Sequence, residues 1–246
     1  MKCMKREICP GWSGITINNR FFFKITDFRM HKLDFTSDGR PPETILLLGA
    51  HCDDIEIGCG GTVRLLTRQF PGAKFHWVVF SSNPARAKEA NKSAIALLNE
   101  VNYQIDILDF RNGFFPYIGA QIKEYFESLK KSVNPDLIFT HYRNDLHQDH
   151  RILSELAWNT FRDHLILEYE IPKFDGDLGQ PNLFVSLSKE DVETKIKNIL
   201  ENFISQNDKQ WFTADTFVSM LRIRGIEANS PSGYAEAFYA RKICFT

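Results

Sequence analysis

Thr44-Ile45-Leu46-Leu47-Leu48-Gly49-Ala50, followed at once by His51-Cys52-Asp53-Asp54, is the stretch that decides the fold. A continuous apolar run after Pro41-Pro42 and before a cluster of glycines reads as a strand buried on both faces. It ends not in a turn but in a histidine and two carboxylates. In an open α/β sheet, the crevice beyond the carboxyl ends of the strands is where ligands bind. The next segment, Gly58-Cys59-Gly60-Gly61-Thr62, is expected to turn the backbone tightly into a helix with Val63, Leu66 and Phe70 on one face.

Working outward, strand and helix patterns alternate. Lys74–Phe80 reads as a second core strand, and residues 85–100 as a helix with a stripe of Ala94, Ile95, Leu97 and Leu98. Tyr103, Ile105 and Ile107 alternate as a third strand. Ile118, Ile122, Tyr125, Phe126, Leu129 and Val133 recur at helical spacing up to Asn134-Pro135. Asp136–Thr140 is a fourth strand, and His141 closes it. A loop leads to His147-Gln148-Asp149-His150, and a helix follows with Ile152, Leu153, Leu156 and Phe161 as its buried side. Residues 172–181 form a long loop suited to be a lid. Leu183-Phe184-Val185 is a further strand, Ser188 with Asp191 caps another helix, and Tyr234–Tyr239 is a late strand. The pattern predicts an α/β three-layer sandwich with a mostly parallel central sheet. Residues 1–43 form a lead of uncertain structure, with a strand-like Arg20–Ile25, and residues 44–246 a single domain.

Composition narrows the function. With 246 residues, 43% hydrophobic and 25% charged, the chain is of ordinary globular type. A net charge of −1 argues against a nucleic-acid partner and against a polybasic membrane patch. No run approaches the roughly 20 apolar residues of a membrane span. Lys2, Lys5 and Arg6 are followed by no apolar region, so no secretory signal is expected. Five scattered cysteines are no disulfide framework and point to a reducing cytoplasm.

Two clusters then stand at the ends of two parallel strands: His51/Asp53/Asp54 and His147/Asp149/His150. A catalytic zinc takes three ligands from histidine and carboxylate and keeps one position open. His51 and Asp54, three residues apart, can converge where strand becomes loop, and His150 can come in from the neighbouring strand. Asp53 is left over beside the metal, placed as a general base. His147, its ring oriented by Asp149, is placed to stabilise an oxyanion or protonate a leaving amine. Taken singly, Asp53 or Asp54 reads equally well as a helix cap, and His147 or His150 as a surface or capping residue. Their joint placement is what favours a metal site. Cys52 can be considered as a thiolate ligand, although a neighbour at a strand end points elsewhere. His31, His76 and His164 have no such company, while His141 lies within reach of the cleft.

The segment Ala50-His51-Cys52-Asp53-Asp54-Ile55-Glu56-Ile57-Gly58-Cys59-Gly60-Gly61-Thr62 resembles the A-H-P-D-D-E-x-x-G-x-G-G signature of the PIG-L/LmbE-like zinc N-deacetylases. Thr140-His141 through His147-Gln148-Asp149-His150-Arg151 is similar to the family's T-H-x(5)-H-P-D-H-R. Arg86-Ala87-Lys88-Glu89, Phe110-Arg111-Asn112-Gly113 and Ala235-Glu236-Ala237-Phe238 resemble its lesser motifs. The resemblance, spanning about Thr44 to Ile243, implies a Rossmann-like sheet and hydrolysis of an N-acetyl group from an amino sugar such as N-acetylglucosamine or its conjugate, releasing acetate. It implies one zinc per chain on His51, Asp54 and His150, with Asp53 as base and His147 aided by Asp149. Arg86 and, more weakly, Asn112 fall where the family meets its substrate. Two positions depart from the pattern: Cys52 replaces the proline, and Ile55-Glu56 shifts the following acid. A thiol so near zinc invites oxidation or metal poisoning. A metal-dependent phosphoesterase and a non-catalytic carbohydrate-binding protein are the other readings, and a homo-oligomer is left open.

Overall fold

The computed structural model describes residues 32–244, and the chain divides between Leu33 and Asp34. The expected strand at Arg20–Ile25 and His31 lie outside the described residues. The unit from Asp34 onward is built on a seven-stranded sheet in the order β3-β2-β1-β4-β5-β7-β6. Its strands are β1 Thr44–Gly49, β2 Lys74–Val79, β3 Asn102–Ile107, β4 Leu137–His141, β5 Leu165–Tyr169, β6 Leu183–Ser186 and β7 Ala235–Ala240. The first five pair in parallel, and β7 runs antiparallel to both β5 and β6. Helices α1 Asp54–Gln69, α2 Pro84–Leu98, α3 Gly119–Ser132, α4 Gln148–Thr160, α5 Lys189–Asn202 and α6 Ala214–Glu227 complete it.

The two-sided burial of β1 follows from its pleat. Ile45 and Leu47 point into a core shared with α1, α2, α5 and α6, whereas Leu46 and Leu48 point into one shared with α3 and α4. All four side chains are fully buried. This is the expected three-layer sandwich. β1 lies between β2 and β4, so the chain leaves it on one side and returns on the other. That reversal opens a crevice beyond the ends of β1 and β4, and the two polar clusters stand there.

Three local expectations are corrected. The glycines do not make the turn after β1, because α1 already begins at Asp54 and carries them inside it. Two of them, Gly58 and Gly61, serve close packing. A Cβ on Gly58 would stand 2.1 Å from the Tyr169 ring, and one on Gly61 would stand 2.5 Å from Leu187. Strand β5, Leu165–Tyr169, and helix α6 were not expected. Ile95, assigned to the apolar stripe of α2, is 37% exposed. Ser188 does cap α5, its side chain accepting from the Asp191 N–H. No helix among the described residues is long and apolar enough to cross a membrane.

Candidate metal centre

β1 ends at Gly49, and the next residues place His51 over the crevice while α1 starts at once. Asp53 occupies the N-cap position but makes no capping hydrogen bond with its side chain. Asp54 instead folds back, its Oδ2 accepting from the His51 N–H at 2.6 Å. Neither carboxylate is spent on capping, and both are buried. From the other side, β4 delivers His141, and the following loop delivers Asp145, His147 and the start of α4 with Asp149 and His150.

His51 Nδ1 lies 3.1 Å from His150 Nε2 and 3.3 Å from Asp54 Oδ2, and the third side, His150 Nε2 to Asp54 Oδ2, is 3.6 Å. Ligand atoms about 2.0–2.1 Å from a tetrahedral zinc stand about 3.3–3.4 Å apart, so this triangle has the right size. The chemistry of the donors fits as well. His51 Nε2 faces Asp149 Oδ2 at 3.3 Å, and His150 Nδ1 faces Asp145 Oδ2 at 2.9 Å. A carboxylate only accepts, so each of those ring nitrogens carries the hydrogen. The opposite nitrogens are left with lone pairs aimed at one another and at a carboxylate oxygen. Three electron-pair donors converging in a buried place call for a cation or a proton between them. The residues therefore fit a zinc ion. His150 also shares ligand-distance groupings with His51 and His147, and with Asp54 and His141.

The clustered histidines and carboxylates shift one another's pKa values. Burial depresses the His51 imidazole, but Asp54, Asp149 and Asp53 outweigh it and raise its pKa to about 9. His150 is pushed down to about 3 by burial and by His141. Asp54 stays well below the usual carboxylate range because three histidines outweigh its burial.

The remaining expected residues are distributed as follows. Asp53 Oδ1 accepts from Arg86 Nη2 at 2.7 Å, so the residue expected to meet substrate also holds the residue expected to be the base. Burial lowers the Arg86 pKa, but Asp53 more than compensates and the net shift is upward. The buried Arg86 Nε has no hydrogen-bond partner in the described structure. His147 caps α4, its Nδ1 accepting the Asp149 N–H at 3.3 Å, which leaves the hydrogen on Nε2. Burial and His51 lower its pKa. Asn112 is exposed, in the turn next to Gly113.

Asp149 does not do what the spacing suggested. Its carboxylate accepts from Gly113 N–H at 2.6 Å and Phe115 N–H at 3.1 Å and faces His51, not the ring of His147. It orients His51 rather than His147. Asp145, which sequence reading passed over, does the same for His150. His141, which the sequence puts within reach of the cleft, is fully buried, stacks on His150 with centroids 3.8 Å apart, and brings Nε2 to 3.1 Å from Asp54 Oδ2. Cys52 points away: its thiol donates to Ser81 O at 3.5 Å, and burial raises its pKa to about 12. Such a thiol is inert, which weighs against ligation or ready oxidation. Glu56 is buried in the core, where desolvation raises its pKa well above the usual carboxylate value. His76 is buried and bonded to Asp106 at 2.6 Å, away from the cluster.

Residues 46–161 match the family described as GlcNAc-PI de-N-acetylase, PIG-L. No curated protein matches the chain significantly. Among solved structures, the N,N'-diacetylchitobiose deacetylase of Pyrococcus horikoshii is 20% identical, with a TM-score of 0.61 over 81% of this chain and 84% of that one. A zinc-inhibited form of the teicoplanin deacetylase Orf2 is 14% identical, with a TM-score of 0.61 over 80% and 97%. The 4-carboxy-2-hydroxymuconate hydratase GalB of Pseudomonas putida is 15% identical, with a TM-score of 0.62 over 83% and 98%. At these identities the likeness is one of fold, and the fold serves a hydratase as well as deacetylases. The α/β sandwich is that shared fold, and residues 46–161 of this chain match the PIG-L family.

Proposed function

We propose that the chain is a zinc-dependent hydrolase that removes the N-acetyl group from an N-acetylated amino sugar or its conjugate, releasing acetate. The observation that carries the reading is the triangle of His51 Nδ1, Asp54 Oδ2 and His150 Nε2, with sides of 3.1, 3.3 and 3.6 Å, and a spare ionisable carboxylate, Asp53, next to it. His51, Asp54 and His150 would hold one zinc per chain. When bound, the ion supplies Lewis acidity toward the acetamide carbonyl and acidifies water to a pKa of about 7.

The rest is done by the chain itself. Asp53 takes the proton of the attacking water, and the Arg86 guanidinium at 2.7 Å keeps that carboxylate aimed. His147, neutral and with its hydrogen on Nε2, donates to the oxygen on which negative charge develops. The proton held by Asp53 then passes to the departing amine as the C–N bond breaks. The Nε–H of Arg86 is a buried donor that a sugar oxygen can satisfy, and Asn112 stands on the rim. Residues 44–246 are read as one deacetylase domain behind a lead of 43 residues. A reducing compartment such as the cytoplasm suits the buried free thiols of Cys52 and Cys59.

The test is acetate release from a panel of N-acetylated amino sugars by the zinc-loaded chain. Release from at least one member, abolished in Asp53→Asn, is the expected result. Phosphate release from a general phosphoester substrate without acetate release would favour the phosphoesterase reading, and sugar binding without turnover would favour a binding protein.

A further inference from the structure

The loop 172–182 has its polarity inverted. Phe174 is 79% exposed and Leu178 45%, while the side chains of Lys173 and Asp177 between and beside them are only 10% and 6% exposed. A loop that turns two of its three charges inward, all but Asp175, and its large apolar groups outward is holding those two charges on something. Asp177 Oδ2 accepts from the Leu146 N–H at 2.6 Å, and Lys173 Nζ lies 2.7 Å from Asp177 Oδ1. The same ammonium reaches Asp145 Oδ2 at 3.0 Å. That oxygen is also the one that faces His150 Nδ1 at 2.9 Å. A continuous chain of contacts therefore runs from the loop through Lys173 and Asp145 to the imidazole that presents Nε2 to the centre.

We propose that Lys173 is a positioning residue for the metal centre, acting through Asp145 to fix the tautomer and orientation of His150. The inference rests on the reading of His150 as a zinc ligand. Without the ammonium, two buried carboxylates, Asp145 and Asp177, face the same space with no cation between them. Asp145 is then free to turn from His150, and the ring loses the partner that keeps its Nε2 lone pair inward. Outer partners of this kind change metal affinity by about 10–100-fold. Arg143 and Arg151 do not substitute: Arg151 is committed to the carbonyl groups of Asp145 and Leu146, and only the main-chain N–H of Arg143 is bonded, to Glu168.

The experiment is zinc affinity, measured by competition with a chromogenic chelator, for the full chain, Lys173→Met, Lys173→Arg, Asp177→Asn, Asp145→Asn and the double variant Lys173→Met/Asp145→Asn. Lys173→Met is expected to bind zinc about 10-fold more weakly, Lys173→Arg to recover most of the loss, and Asp177→Asn to lose less than about 3-fold. In the Asp145→Asn background, Lys173→Met should add nothing, because the residue it acts through is already gone. A folded Lys173→Met that binds zinc like the wild type overturns the proposal. So does an additive double variant, or an Asp177→Asn that loses as much as Lys173→Met, since the loop tether and not the charge on Asp145 would then matter. If Lys173→Met fails to unfold cooperatively, Lys173→Arg against Asp145→Asn decides alone: loss in the first equal to the second refutes it. A wild-type chain that binds no zinc would sink the metal reading itself, a result separate from these.

Discussion

The Ala235-Glu236-Ala237-Phe238 motif is far from the centre in sequence, yet its glutamate grips the helix that begins there. Glu236 and Lys195 form a buried ion pair at 2.6 Å, each about 3% exposed. Lys195 donates to the Ile57 carbonyl at 2.6 Å, and Glu236 accepts from the N–H groups of Gly61 at 2.8 Å and Thr62 at 2.6 Å. Gly61 and Ile57 are four residues apart, the spacing of a helical hydrogen bond, so the pair is seated alongside the ladder of α1. Removing one charge leaves the other buried and unpaired. The cost for such pairs is about 3–5 kcal/mol, and for Glu236 two buried N–H groups lose an acceptor as well. Lys195→Met and Glu236→Leu should each therefore destabilise by about 3–5 kcal/mol in urea unfolding followed by far-UV circular dichroism. For a domain of this size that corresponds to a fall in Tm of roughly 6–20 °C. The double variant Lys195→Met/Glu236→Leu should be clearly less destabilised than the sum of the two, because no unpaired charge remains. A loss below about 1 kcal/mol in either single variant, or strict additivity, would refute the account of α1 as held by this pair.

Three further outcomes follow from the geometry. Asp53→Asn should retain zinc and lose about 10²–10⁴ in kcat, read by acetate release beside metal analysis of the same sample. Asp149→Asn should weaken zinc by about 10–100-fold rather than change the rate of the loaded enzyme, because its carboxylate faces His51, and a chelator titration separates the two. Asp191 joins α5 to α1 through Arg64 at 3.0 Å and Arg68 at 2.6 Å, and although burial raises its pKa, Arg68 and Ser188 bring it below the usual value. A carboxylate with a lowered folded pKa stabilises at neutral pH and loses that contribution as pH falls through the folded value. Asp191→Asn should thus cost about 1–2 kcal/mol at pH 7, with the gap to wild type closing below about pH 4. A gap that persists in acid would contradict the ion-pair account.

Particular residues show where sequence was informative. β1 was readable because both faces of the strand are buried, which leaves an unbroken apolar run that no surface element carries. The clustering of His51, Asp54 and His150 was readable because both halves stand within a few residues of strand ends, where the sheet itself brings them together. The outer ring of partners was not. Asp149 and His147 are two residues apart, yet the carboxylate turns to His51, 98 residues away, because Gly113 and Phe115 offer it N–H groups from that side. Asp145 sits two residues before His147 in Asn144-Asp145-Leu146-His147, and only the return of the loop onto His150 gives it a role. The Arg86–Asp53 contact likewise depends on how α2 is set beside α1. Helix α6 escaped notice because Phe217, Leu221, Ile223 and Ile226 fall on different faces, the first two buried and the last two exposed, leaving no single stripe. Strand β5 is short and follows closely on α4, without the turn residues that announced the others.

The central claim is that His51, Asp54 and His150 form one zinc site. Its most direct measurement is the metal content of the purified chain by elemental analysis after zinc reconstitution, beside His150→Ala. The account predicts about one zinc per wild-type chain and little or none in the variant. A wild-type chain without zinc, or a His150→Ala variant that keeps it, would contradict the account.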